Sequence, residues 1–275
     1  MLLFPELNEV QSSDPADWPK TRMIYRPKGQ AGEYAELATN PYRGCGHSCS
    51  YCYVPRITRQ DRREFNAGSV LRKGYMANLL RDARKWQAAN ATGQVMLSFT
   101  TDPYPPENHI ETREVLKILR DHGLSFCTLS KGGKRALRDI DLFRPTHDAY
   151  AATLTSLDTK FSRKWEPQAA DPQDRLDTLR DFNKANIFTW VSLEPTLDVA
   201  ASLEIVRRTH AYVNLYKVGR VNYIGLTKTT DWEDYTHRMI DVMAETGSAH
   251  YFKRDLQSYL PAGYPNKLRH QQNFS

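Results

Sequence analysis

At 275 residues the chain has length for about two average domains, although α/β barrels of about 200 to 250 residues commonly form one. Its 40% hydrophobic content, with 15 Tyr, 10 Phe and 5 Trp, supplies a large core and excludes disorder. No run approaches the roughly 18 apolar residues of a membrane helix, and Pro5 and Glu6 interrupt the opening Met1-Leu2-Leu3-Phe4. A soluble, cytoplasmic protein is therefore expected. The formal net charge is +6, and residues 56 to 85 alone carry nine basic and three acidic side chains. Such a run suits a polyanionic partner or a solvated helix face.

Strand-like and helix-like stretches alternate along the chain with short connections, the pattern of a parallel sheet covered by helices. A short strand over Glu36 to Thr39 leads into a cysteine-rich loop, then helical periodicity runs from Ser69 to Ala89. A strand over Val95 to Thr100 precedes a helix from Ile110 to Asp121, which stops at His122-Gly123. Further strands are expected at Leu124 to Leu129, Ala149 to Leu154, Ile187 to Leu193 and Tyr212 to Val218. Further helices are expected at Asp174 to Ala185, Ala200 to Thr209 and Trp232 to Glu245. Neither an internal repeat nor a low-complexity linker interrupts this series.

Of four cysteines, Cys45, Cys49 and Cys52 fall within eight residues, written Cys45-Gly46-His47-Ser48-Cys49-Ser50-Tyr51-Cys52. Thiols clustered in a chain without an export signal point to metal rather than to disulfides. The C-x3-C-x2-C spacing suits three corners of a cubane cluster and leaves its fourth iron without a protein thiolate. Together with His47 the same loop also makes a Cys3His zinc set.

Extended to Asn40-Pro41-Tyr42-Arg43-Gly44-Cys45 in front and Tyr53 behind, the motif resembles that of the radical S-adenosylmethionine (SAM) superfamily. Within it, the stretch is similar to the branch of spore photoproduct lyase and the DNA repair photolyases. The resemblance runs from about residue 24 to 260, leaving extensions 1–23 and 261–275 on a single domain, 1–275. It implies an α/β fold, a partial (β/α)6 TIM-type barrel of parallel strands; six strands are too few for the closed eight-stranded barrel. It further implies a 4Fe-4S cluster on Cys45, Cys49 and Cys52, with SAM chelating the open iron. One electron, from a partner such as flavodoxin or ferredoxin, then yields a 5′-deoxyadenosyl radical that abstracts a substrate hydrogen.

In α/β sheets ligands lie at the carboxyl ends of the strands. The second strand ends Ser98-Phe99-Thr100-Thr101-Asp102-Pro103-Tyr104, where Asp102 either binds cofactor or caps the turn. The third ends Ser130-Lys131-Gly132-Gly133, a lysine beside backbone N–H groups that suits an anion; the resemblance gives Lys131 the SAM carboxylate. The fourth runs into Thr153-Leu154-Thr155, the fifth into Glu194-Pro195, and the sixth into Arg220-Val221-Asn222-Tyr223. Candidate cofactor contacts are thus Tyr53, Thr101, Asp102, Lys131, Thr153, Thr155 and Glu194, and candidate catalytic residues are Lys131, Tyr104 and Tyr223. Glu166, followed by Asp171 and Arg175, is expected to be structural, with Arg175 paired to Glu166.

The resemblance points to a thymine-type base in DNA, undergoing repair, rearrangement or modification. Arg56, Arg59, Arg62, Arg63, Arg72 and Lys73 would hold phosphates, and Tyr42, Tyr104 or Tyr223 could stack on a base; a duplex base would need flipping. One departure stands out. The lyase branch uses a cysteine directly before a Thr-Ser-Asp to return a hydrogen atom, and this chain has Phe99 there. Cys127 lies roughly 13 Å below Lys131 on its strand, at about 3.3 Å per residue, and reads as a core thiol. Two alternatives stay open: a radical SAM enzyme acting on a small metabolite, tRNA or peptide, and a non-catalytic zinc module that binds nucleic acid. The oligomeric state is open as well.

Overall fold

The protein is seen in a computed structural model, which describes residues 14–107, 110–222 and 228–267. In chain order, β1 (Leu37–Thr39) is followed by β2 (Tyr42–Arg43), the cysteine loop, α1 (Val54–Thr58), α2 (Arg62–Asn66) and β3 (Val70–Leu71). Then come α3 (Tyr75–Ala88), β4 (Gln94–Leu97), α4 (Ile110–Asp121), β5 (Ser125–Ser130) and β6 (Ala149–Thr153). The chain continues through α5 (Thr159–Trp165), α6 (Pro172–Lys184), β7 (Phe188–Thr196), α7 (Val199–Thr209), β8 (Leu215–Arg220), α8 (Trp232–Thr246) and β9 (His250–Phe252).

Seven strands pair in parallel in the order β1-β4-β5-β6-β7-β8-β9 and form one curled half-barrel sheet. The six strands expected from sequence are all present, and β9 adds a seventh at the edge. Two boundaries moved for local reasons. The helix expected from Ser69 begins at Tyr75, because Val70 and Leu71 pair antiparallel with β2 and Gly74 turns the chain at φ 68°. The second main strand stops at Leu97 rather than Thr100, because the Phe99 and Thr100 N–H groups donate to Asn40 Oδ1 at 2.8 and 3.0 Å.

Both faces of a parallel sheet are covered, so its strands read as nearly continuous apolar runs. Successive side chains still point to opposite faces. Val95, Phe126, Tyr150, Val191 and Tyr216 meet the helices in the main core. Met96, Cys127, Ala149, Ala151, Phe188, Trp190 and Leu215 fill the barrel interior. That inner layer plugs the bottom, so chemistry is confined to the carboxyl ends above it. No helix among the described residues is long and apolar enough to cross a membrane.

On the helix side, Phe182 of α6 stacks on Tyr150 of β6 with centroids 4.1 Å apart and meets Phe143 at 4.8 Å. It is fully buried. Phe182→Ala is therefore expected to cost about 3–5 kcal/mol, the cavity-forming range for a core phenylalanine, measured by urea unfolding.

Candidate active site

The cysteine loop is fastened from three sides. The Cys45 N–H donates to the Phe65 carbonyl at 2.8 Å, and the Ser50 N–H to the Trp165 carbonyl at 2.9 Å. Arg62 donates to the Cys49 and Cys52 carbonyls at 3.3 and 2.7 Å. Gly44 must be glycine: its φ is +72°, and a Cβ there would lie 2.1 Å from the Gly68 carbonyl oxygen. The resulting loop turns Cys45, Cys49 and Cys52 into one cavity of about 420 Å³ at the carboxyl ends of the strands. Phe99, Thr101, Asp102, Lys131, Thr153, Ser192, Glu194, Arg220 and Lys253 line the same cavity.

Asp102 joins the loop to the sheet. Its Oδ1 accepts from the Tyr104 N–H at 2.8 Å and the Ser130 hydroxyl at 2.6 Å, and its Oδ2 accepts from the Lys131 N–H at 2.8 Å. His47 Nδ1 stands 3.3 Å from Oδ2, and Arg135 donates to His47 Nε2 at 2.8 Å. Because an arginine only donates, Nε2 accepts and the ring proton sits on Nδ1, aimed at Asp102. Burial alone would raise the Asp102 carboxyl, but His47, the Ser130 hydroxyl and the Lys131 N–H hold it well below the usual carboxylate range.

Under the loop lies a second dry ionic group. Arg175 Nη2 is 2.6 Å from Glu166 Oε2, with side chains 1% and 0% exposed, so the expected pair is present. The Tyr51 hydroxyl donates to Glu166 Oε1, and Arg175 also donates to the Ala170 and Thr153 carbonyls at 2.8 and 3.0 Å. Lys131 lines the cavity beside this group, its ammonium 5.8 Å from the Tyr51 ring. Burial disfavours the Lys131 charge, but Cys49, Glu166 and Asp102 more than compensate and keep it protonated.

Several expected residues fall elsewhere. Tyr104, a candidate for catalysis and stacking, and Tyr42 are fully buried and do not line the cavity; the Tyr42 hydroxyl is 2.9 Å from Thr112 Oγ1. Thr155 is buried outside the cavity lining. Gly132 and Gly133 do not offer a free anion cradle: the Gly132 N–H donates to Ser130 Oγ at 2.7 Å, and a Cβ at either glycine would collide with packed neighbours. Arg62 and Arg72 brace the site from behind, Arg72 donating to the Tyr42 carbonyl at 3.0 Å, while Arg56, Arg59, Arg63 and Lys73 are exposed. Cys127 lies below Leu129, capped by the Trp190 indole N–H at 3.2 Å, and burial pushes its thiol up to about 12. Tyr223 lies outside the described residues.

Of the wall that Glu194 belongs to, the sequence reading named Glu194 and missed Tyr34, Ser192 and Lys253. The Tyr34 hydroxyl donates to Glu194 Oε2 at 2.5 Å and lies 3.0 Å from Ser192 Oγ, and the Lys253 ammonium pairs with the same carboxylate. Lys253 follows the short apolar strand β9 much as Lys131 follows β5, a signal the sequence did carry; Tyr34 has none.

The thiols suit a cluster better than a single ion. No three His, Cys, Asp or Glu side chains among the described residues converge on one metal position, and both His47 ring nitrogens are engaged elsewhere. The Cys3His zinc alternative is corrected on that ground. A cubane takes each thiolate on a different iron and needs no such convergence. Burial pushes Cys49 up to about 12 and raises Cys45 and Cys52 too, so their thiolates call for cationic ligation.

Glu166→Gln leaves Arg175 charged, dry and unpaired, and is expected to cost about 3–5 kcal/mol in urea unfolding. A paired Glu166→Leu/Arg175→Met replacement should recover most of that loss.

Residues 39–199, more than half of the chain, match the model of the radical SAM superfamily. A relative from Acidianus two-tailed virus, the uncharacterized protein ORF301, is 27% identical over 217 residues, 72% of this chain and 71% of its own. A radical SAM Nα-GlyT isomerase of Pseudomonas phage M6 is 25% identical over 194 residues, 68% of this chain but only 38% of that relative. Among solved structures, a variant of spore photoproduct lyase aligns with TM-score 0.63 at 13% identity, covering 86% of this chain and 81% of its own. Streptococcus suis SuiB bound to S-adenosylmethionine aligns with TM-score 0.58 at 11% identity, over 78% of this chain and 46% of its own. The family binds a 4Fe-4S cluster and S-adenosylmethionine, and the chain belongs to the radical SAM superfamily.

Proposed function

We propose that this enzyme rearranges or modifies a thymine-type base in DNA rather than repairing a thymine dimer with a protein thiol. The observation that carries the reading is Phe99. It lines the cavity, the resemblance puts it at the position of the lyase branch's cysteine, and among the described residues the thiols that line the cavity are Cys45, Cys49 and Cys52. Cys127 is shut away beneath Leu129 and Trp190. A substrate from which a hydrogen has been removed then finds no free thiol, which favours a reaction that returns the hydrogen it took. The isomerase named among the relatives agrees with that direction.

Bound at Cys45, Cys49 and Cys52, the cluster with SAM supplies hydrogen-abstracting chemistry. The chain's own residues hold and shield the reactants. Lys131, which lines the cavity, would take the SAM carboxylate, with Tyr53, Thr101, Thr153 and Glu194 lining the same space. Phe99, Leu129, Val54 and Ile57 give the cavity apolar wall that keeps water and stray hydrogen donors out. Outside, α1, the turn after it and α2 present Arg56, Arg59 and Arg63 in the same stretch as the exposed Tyr53 and Ile57, a rim where cations can meet phosphates and an aromatic ring can stack on a base.

Anaerobically reconstituted protein given dithionite, SAM and a thymine oligonucleotide should convert thymidine to an isomeric nucleoside, detected after digestion by its changed chromatographic retention and fragmentation. Cys49→Ala protein is the blank. Turnover of a thymine dimer to two thymidines, or 5′-deoxyadenosine release indifferent to DNA, would overturn the reading. On the rim, Arg59→Ala and Arg63→Ala should each lower single-strand affinity, and together reduce the slope of log affinity against log salt by about 1.4, at roughly 0.7 per phosphate contact.

A further inference from the structure

The cavity's charges do not cancel locally. Lys253 is paired with Glu194, and the Asp102 carboxylate is saturated by four donors. Three lining cations remain: Lys28, Lys131 and Arg220. Lys131 stands at the end of β5, beside the cysteines. Arg220 stands at the end of β8, in register with Thr196 of β7. Three strand spacings separate β5 from β8, about 14 Å along the sheet at roughly 4.8 Å each. The two cations thus enter the cavity from different strand ends.

Arg220 is built into its place by one long ion pair, with Asp255, and no hydrogen bond at its Nε. Its Nε is buried without a hydrogen-bond partner, and the facing Asp255 Oδ2 is 3.9 Å away, beyond hydrogen-bond reach. Asp255 is itself held, its side chain only 4% exposed, by the Asn222 amide at 3.0 Å. The carboxylate therefore orients the guanidinium from behind without occupying its outer nitrogens, and no acceptor among the described residues takes them. Asn222 lines the cavity next to it. Gly219 gives room for this wall: a Cβ there would come within 3.0 Å of Lys253 and 3.1 Å of Glu194.

The geometry points to a substrate oxyanion subsite at the β8 end of the cavity, with Arg220 as its fork and Asp255 and Asn222 as positioning residues. Arginine presents paired N–H groups that match phosphate or carboxylate. The inference rests on the nucleobase reading in naming a backbone phosphate as that oxyanion; a substrate carboxylate would share the chemistry.

The test is calorimetric titration of full-length, cluster-loaded protein under SAM and without reductant. The probes are thymidylyl-thymidine, its uncharged methylphosphonate analogue and N-acetylglycine. Wild type should bind the phosphate dinucleotide roughly tenfold or more above the methylphosphonate. Arg220→Gln should erase that preference while leaving SAM affinity unchanged. Asp255→Asn, which keeps shape but releases the guanidinium, should weaken the preference in part. Arg220-dependent binding of N-acetylglycine without dinucleotide binding would support the oxyanion subsite and overturn the nucleobase reading. Equal binding of the charged and neutral dinucleotides by wild type, with N-acetylglycine bound alike by wild type and Arg220→Gln, would overturn the subsite.

Discussion

A carboxylate removed from water must have its lone pairs filled, and the site is organised around one that does. Asp102 receives hydrogen bonds from its own turn, from the end of β5 and from His47 in the cysteine loop. Three segments distant in sequence are thereby held at one point, and the low dielectric that makes the charge costly also makes each bond strong. The Glu166–Arg175 pair does the same one layer below, tying Tyr51 of the loop to the end of β6 through the Thr153 carbonyl. The cysteines are set by these two buried anions more than by their own loop. A short strand and two five-residue helices would otherwise leave them free to wander.

Legibility in the sequence followed from how much of each signal was local. Strands such as Ala149–Thr153 are unbroken buried runs between turn residues, and they were readable as such. The three-residue β9 is too short to show a period, and it exists because its edge pairs with β8. The cysteines were legible because ligand spacing is covalent, and the Glu166–Arg175 pair because the stretch that carries it is typical of the family the sequence resembles. Tyr42 and Tyr104 sit within the most recognisable motifs and still face the core. An aromatic beside a motif looks the same whether it packs or binds, and only the direction of its side chain decides. Tyr34 had no signal, since its role comes from a chain segment crossing the open edge of the barrel.

That crossing is secured by an unusual lysine. Lys217 points into the barrel and donates to the Glu33 and Tyr34 carbonyls at 3.0 and 2.8 Å. Burial, with the neighbouring Lys253 adding to it, pushes its ammonium down to about 7. Glu33 in turn accepts from the Tyr251 hydroxyl and the Arg254 N–H at 3.0 and 2.7 Å. The segment before β1 is so stitched to β8 and β9, the far side of the sheet, and Tyr34 arrives beside Ser192 and Glu194. An edge that strand pairing leaves open is closed by side-chain bonds instead.

The same period-two alternation that builds the core also polices the chemistry. On β5 the inward residues are Cys127, Leu129 and Lys131, three successive levels from plug to cavity. The thiol lies at the lowest, under an indole and behind a leucine, and the ammonium at the highest, among the cysteines' neighbours. Moving the cysteine up one level would put a ready hydrogen donor into the cavity; moving the lysine down one would bury a charge among Met96, Ala151 and Trp190. The ladder order is thus what lets one strand supply both a quiet core and a charged site. Phe99 on the adjacent strand end likewise adds a ring and no thiol to the cavity wall, so among the described residues the thiols lining the cavity are those of the cysteine loop.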